Sequence, residues 1–312
     1  MLAKEKITNQ KLRATNYLLH KRSLELGKLK LAPYITPRTM LIVNSANFSD
    51  LFGTVDSRLL DVDVQTFELK SPVQSVNLIS VNKLSQFWKG TFQNGESVCI
   101  KASKGCLKLT KEKTAALLSY EFRILSLVGK HPNIIEPIGL SSTSDFGPML
   151  LSVYVSEINL SRFLAQLNAN NGRRIECLII KLSSGLQYLH DNDILHNYFT
   201  SDNIFLTSSS LYLNPVIGEF SCACFASSAN PLTLSQREIF KDCTHLPAGV
   251  KSGLTAPSLT SDLFSFGVLC SVISRKTSNE DVCRKLRTLV KSCVNMNFVF
   301  NLNSIVYKTF DD

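Results

Sequence analysis

The eight residues His196-Asn-Tyr-Phe-Thr-Ser-Asp-Asn203 place an imidazole, a phenol, a carboxylate and an amide in one short stretch. Side chains of these types move protons or offer oxygen to a hard cation. Two further groups stand out by their surroundings. Glu121 falls in the apolar register of Leu117, Ile124, Leu125 and Val128. A carboxylate on such a helical face needs a partner, because an unpaired buried charge is costly. Lys101 follows the strand-forming run Val98-Cys99-Ile100, so its ammonium projects from one sheet face. Taken alone, a lysine at a strand end is ordinary surface. Cys222 and Cys224 form a Cys-x-Cys pair, but no second pair stands at zinc spacing, and plain thiols explain them.

These groups need elements to hold them. Ile194-Leu195 and Ile204-Phe205-Leu206 flank the His196 loop and predict two short strands around it. Upstream, Ile175, Leu178, Ile179, Leu182, Leu186 and Leu189 recur at helical spacing. Downstream runs Val216-Ile217-Gly218-Glu219-Phe220-Ser221. A helix, this polar loop, a strand pair and then Glu219-Phe220-Ser221 resemble the catalytic core of the eukaryotic protein kinases. In that family the loop reads H-R-D-x-x-x-x-N and the later turn D-F-G.

The resemblance implies that His196 fills the family's histidine position, Asn203 its metal-binding asparagine and Phe220 the middle of D-F-G. Asn197 stands for the arginine, Tyr198 for the catalytic aspartate, Glu219 for the metal-binding aspartate and Ser221 for the glycine. A phenol stays protonated near neutral pH, so no catalytic residue is expected at Tyr198. Asp202 is a poor substitute base, because its position faces away from substrate in the family. Glu219 keeps the charge and adds one methylene, which leaves Asn203 and Glu219 as the candidate metal pair.

Val76, Leu78 and Ser80 to Phe92 predict a β-hairpin with Trp88-Lys89-Gly90 on its second strand. By resemblance its turn is the glycine-rich loop, where backbone amides approach ATP phosphates. The glycine positions hold Ser80, Asn82 and Ser85 instead, which puts side chains where phosphate lies in the family. Val98-Cys99-Ile100-Lys101 resembles V-A-I-K, so Lys101 and Glu121 match the family's lysine–glutamate ion pair. Gly129 to Ile135 resembles the connection after that helix in receptor-type tyrosine kinases. Gly147 to Leu160 resembles the strand, hinge and first helical turn that join the lobes, with Ser152 at the gatekeeper position and Tyr154 at the hinge. Cys99 and Phe205 are larger than the family's residues around adenine, and added bulk in a packed slot opposes binding. The implied cofactor positions are therefore Lys101, Glu121, Tyr154, Asn203 and Glu219.

Residues 219–255 correspond to the activation segment, carry no tyrosine and read as a loop. Ala256-Pro257-Ser258 lies too close to Asp262 to be the family's A-P-E. Thr260 to Val268 resembles S-D-V-W-S-F-G-V. Its helix is apolar all round through Phe264, Phe266, Val268, Leu269, Val272 and Ile273, so it is expected to be buried. Asp262 is expected to cap its start and to hold the backbone of the His196 loop. Cys283 to Phe310 predicts two helices where the family has three, with the substrate-side region deleted.

An apolar fraction of 44% and a charged fraction of 19% in 312 residues describe an ordinary globular chain. No apolar run reaches the roughly 20 residues of a membrane helix, and no secretory core follows Met1. Nine irregularly spaced cysteines indicate reduced thiols, hence a cytoplasmic location. The net charge of +9 gathers at one end: Lys4, Lys6, Lys11, Arg13, Lys21, Arg22, Lys28 and Lys30 outweigh Glu5 and Glu25. Residues 1–30 are a solvated leader or touch anionic lipid. No base-reading motif supports specific nucleic-acid binding.

The expected fold is α+β, a bilobal kinase-like domain over 75–312. Its small β-rich lobe covers 75–153, and its helical lobe covers 154–312 and is shortened at the C-terminus. Residues 1–74 form a basic leader and an unassigned extension, either an extra layer on the small lobe or a linker to it. The expected function is that of a pseudokinase, a binding, scaffold or regulatory module in phosphorylation signalling. Its partner would be a protein, an active kinase among the candidates. The alternative is a weak or unconventional protein kinase. ATP binding is expected to be weak, with Mg present only alongside ATP.

Overall fold

The computed structural model describes residues 35–38, 56–59, 62, 64, 66–69, 75–91, 95–103, 110–143, 147–166, 172–208, 213–294 and 301–311. The basic leader and its expected lipid contact lie outside these described residues.

The small lobe is built on a single sheet. Its strands are β1 (Ile35–Arg38), β2 (Thr66–Leu69), β3 (Ser75–Val81), β4 (Ser85–Thr91), β5 (Ser97–Ser103), β6 (Pro137–Thr143) and β7 (Gly147–Val153). They lie in the order β1-β2-β6-β7-β5-β4-β3. All neighbours are antiparallel except β2 and β6, which meet in parallel at Thr66 and Leu140. The predicted hairpin is β3 and β4, with a register shift between Leu78 and Ser80. β1 and β2 precede Ser75 and widen the same sheet beyond β6, so the extension supplies part of the lobe. Each has only four residues, the shortest run over which alternation can be read, and Pro37 interrupts β1.

The lobe's long helix, α1 (Lys111–Val128), starts at Thr110, whose side chain accepts from Lys113 N. It stops at Gly129, where φ is 79° and the amide returns to Leu125 O at 3.2 Å.

The large lobe begins with α2 (Leu160–Ala165) and α3 (Gly172–Asp191). The six apolar residues that predicted α3 are all fully buried, as the periodicity requires. After α3 come β8 (Ile194–Leu195), β9 (Ile204–Ser208), β10 (Leu213–Ile217) and β11 (Cys224–Phe225). β9 pairs with β10, and β8 pairs with β11, so the two strands flanking the His196 loop belong to different ribbons.

The stretch expected to be a loop contains two short helices, α4 (Leu234–Phe240) and α5 (Ala248–Lys251). Thr233 and Gln236 form a capping box that starts α4, a signal the sequence carried at its usual spacing. The lobe closes with α6 (Leu259–Ser274), α7 (Glu280–Val294) and α8 (Leu302–Asp311). The last two are the predicted C-terminal pair.

Two expectations about α6 change. Its cap is Ser258, whose backbone amide donates to Ser261 Oγ at 2.9 Å; Asp262 lies one turn in and points elsewhere. Nor is α6 buried all round: Phe264, Val268 and Val272 are half-buried, while Phe266, Leu269 and Ile273 are fully covered. α7 packs directly on α6, and Gly267 permits this, since a Cβ there would lie 2.9 Å from Cys293 Cβ. One-sided packing explains the half-exposed stripe. Among the described residues, no helix is long and apolar enough to cross a membrane.

Candidate functional site

The cleft between the lobes is set by β5, α1 and the turn after β10. β5 delivers Lys101, α1 delivers Glu121 and the turn delivers Glu219, at 2%, 1% and 0% exposure. The Lys101 ammonium bonds both carboxylates at once. Glu121 Oε1 also accepts from Phe220 N at 2.9 Å, tying the helix to the turn. Burial alone would lower the Lys101 pKa, but Glu121 and Glu219 outweigh it and hold the ammonium above its ordinary range. Burial also works against Glu219. Lys101 and hydrogen bonds from Ser221 and Asn82 prevail, so Glu219 stays ionised below the usual carboxylate range. At Glu121 burial prevails over Lys101, and its pKa is raised.

The hairpin turn reaches down into this cluster. Asn82 Nδ2 donates to Asn203 Oδ1 and to Glu219 Oε2, each at 2.8 Å. Its own oxygen accepts from Leu84 N and Ser85 N, both at 2.7 Å, which fixes the turn around the side chain. Ser80 Oγ accepts from Asn159 Nδ2 at 2.9 Å and donates to Asp202 O at 3.2 Å. Ser85 is buried. Thus Ser80 and Asn82 insert their side chains between the lobes, and the Ser85 side chain is buried on β4. A resident Mg would need the facing oxygens of Asn203 and Glu219 as ligands. Both already accept N–H bonds from Asn82, a donor that repels a cation. As arranged, the donor set does not fit the metal.

The same holds for the apolar part of the cleft. The ring of Phe87 on β4 meets Phe205 on β9 edge-on, with centroids 5.1 Å apart. Both residues are buried, as is Cys99. A planar base sandwiched between two walls needs roughly 7 Å from wall to wall, two contacts at van der Waals spacing. Gly218 accommodates the Phe205 ring, since a Cβ there would come within 2.8 Å of it. Ser152 is buried opposite Cys99. Tyr154 stands apart from the polar cluster, just past β7, with the Lys89 ammonium 5.0 Å from its ring centroid.

The His196 loop is held from below. Asp262 Oδ2 accepts from His196 N at 2.7 Å, and Oδ1 accepts from Asn197 N at 2.9 Å. His190 Nε2 lies 3.1 Å from Asp262 Oδ2. Asn197 adopts φ 59° and Glu219 φ 65°, a region costly for side chains with a Cβ. Asp262 supplies the compensation at Asn197, and Lys101 with Asn82 supplies it at Glu219. Burial keeps His196 neutral, with Nε2 beside Gly218 O at 3.0 Å.

Tyr198 turns upward and packs with Leu84, Phe240 and Leu246. Its oxygen accepts from Lys83 N at 3.4 Å. Burial pushes its phenol above the ordinary value, so it carries its proton at neutral pH.

Of the implied cofactor positions, Lys101, Glu121, Asn203 and Glu219 come together, and Tyr154 does not join them. The sequence places the Asn82 side chain where phosphate lies in the family, but it does not show the bridge to Asn203 and Glu219, nor Phe87 as a filler. The family's glycine spacing located Asn82, but only the fold shows where its amide points. The eight described cysteines are free thiols, Cys222 and Cys224 included.

The family described as protein tyrosine and serine/threonine kinase matches residues 78–283. Among curated proteins, the cysteine-rich receptor-like protein kinase 8 of Arabidopsis thaliana is 25% identical over 266 residues. The match covers 79% of this chain and 36% of that protein. The chain therefore spans about a third of that relative's length.

Proposed function

This chain belongs to the protein tyrosine and serine/threonine kinase family, and we propose that it uses the kinase frame for binding and regulation without transferring phosphate. The observation that carries this reading is the Asn82 amide between Asn203 and Glu219, a hydrogen-bond donor where a metal would need oxygen ligands. Phe87 against Phe205 and the protonated Tyr198 point the same way. Phosphoryl transfer is mainly positioning and charge stabilisation around the metal, so losses at phosphate, metal and base act together. Loss of the base alone costs on the order of 10²–10⁴ in rate.

The partner in this reading is a protein in phosphorylation signalling, with an active kinase a natural candidate. The free thiols favour the cytoplasm, and residues 1–30 would supply any contact with anionic lipid. A radiolabelled-ATP assay with a generic protein substrate and Mg tests the reading. The expected incorporation equals that of a protein-free blank. Incorporation above blank that disappears in a folded Lys101→Met variant would establish a weak or unconventional kinase instead.

A further inference from the structure

Residues 56–59, 62 and 64 lie ahead of the span that matches the kinase family, yet they touch both lobes. On one side Leu59 is 1% exposed within the main core. The buried Arg123 of α1 donates through Nη1 to Leu59 O and, at 2.8 Å, to Val62 O. On the other side Arg58 Nη1 donates to Asp193 Oδ2 at 2.9 Å, and Nη2 donates to Ser227 Oγ at 2.9 Å. Its guanidinium stands 3.5 Å from the Phe225 ring centroid. Asp56 Oδ2 accepts from Arg58 Nη2 at 2.7 Å and from Ser228 Oγ at 2.8 Å. One short segment thus grips the helix that carries Glu121 and the chain that follows Glu219.

We propose that Asp56, Arg58, Leu59 and Val62 form a built-in strap that fastens α1 to the segment after Glu219 and so keeps Glu121 against Lys101. The physical need is clear. Glu121 is buried, and a helix that drifted would leave both it and Lys101 without full compensation. Arginine suits the task, because its planar fork bonds several oxygens while its face covers an aromatic ring. The strap is also releasable. Arg58 is 40% exposed, and Ser227 and Ser228 are exposed, so the contacts on this side are individually modest and open to a change of charge. The proposal stands whether or not the cleft transfers phosphate.

Hydrogen–deuterium exchange of the full chain tests it, comparing wild type with Arg58→Ala and with Ser228→Asp. The second variant sits on the surface and sets a negative charge against Asp56 without removing any core group. Both are expected to speed exchange about tenfold in residues 118–128 and 220–231, leaving α6 and α7 at wild-type rates. Two results would overturn the strap. One is a change confined to residues 56–64. The other is a uniform rise that includes α6, which would make Arg58 a general stability residue.

Discussion

Lys101→Met is expected to lower the unfolding free energy by about 3–5 kcal/mol, the range for breaking one partner out of a buried ion pair. The ammonium is 2% exposed and is shared by Glu121 and Glu219, themselves 1% and 0% exposed. Removing it leaves two carboxylates in low dielectric, held by Phe220 N on one side and by Asn82 and Ser221 on the other. Neither set of donors carries a full charge. A domain of ordinary stability, about 5–15 kcal/mol, would lose a large share of it. Urea unfolding measures the loss. The double variant Lys101→Met/Glu219→Gln is expected to recover about 1 kcal/mol or more, because the two sites share one network. A single-variant loss below about 1 kcal/mol would mean that the three charges are not coupled as described.

Asp262→Ala is the second large effect, at about 3–4 kcal/mol for two buried amides left without a charged acceptor. His196 N and Asn197 N donate to its two oxygens, and His190 lies beside it. Asn197 has a positive φ that those contacts maintain, so the loop is expected to relax as well as weaken. Asp262→Asn keeps one acceptor oxygen and is expected to lose about half as much. The same urea experiment, with exchange at residues 194–203 as the local readout, checks both variants. A destabilised protein whose loop exchanges at the wild-type rate would show that Asp262 supports α6 rather than the loop.

The parts legible in the sequence were those fixed by local pattern. Helix α3 announced itself through six apolar residues on one face, and Lys101 and Glu121 through charges set in apolar runs. The Asp262 contact with the loop followed from the family resemblance. The unread parts depend on where distant segments meet. Asn82 looked like a substituted glycine; that its amide bridges two residues more than a hundred positions away is a property of the closed cleft. Phe87 read as one member of a strand, and its partner Phe205 lies on a different lobe. Arg58, Asp56 and Ser228 share no periodicity, and only tertiary packing joins them. The α4 and α5 helices were missed for a different reason. Each is a few residues long, and α4 rests on a capping box rather than an amphipathic stripe.

The central claim is that the chain's own side chains fill the nucleotide and metal positions. Thermal unfolding of the full chain in about 1 mM ATP, with and without Mg, tests it most directly. A ligand bound with a Kd near 10 μM would add about 2.7 kcal/mol at that concentration and raise Tm by roughly 5–10 °C for a domain of this size. With Asn82 on Asn203 and Glu219, and Phe87 on Phe205, the predicted result is no shift in either condition. A saturable rise in Tm that requires Mg would contradict the account.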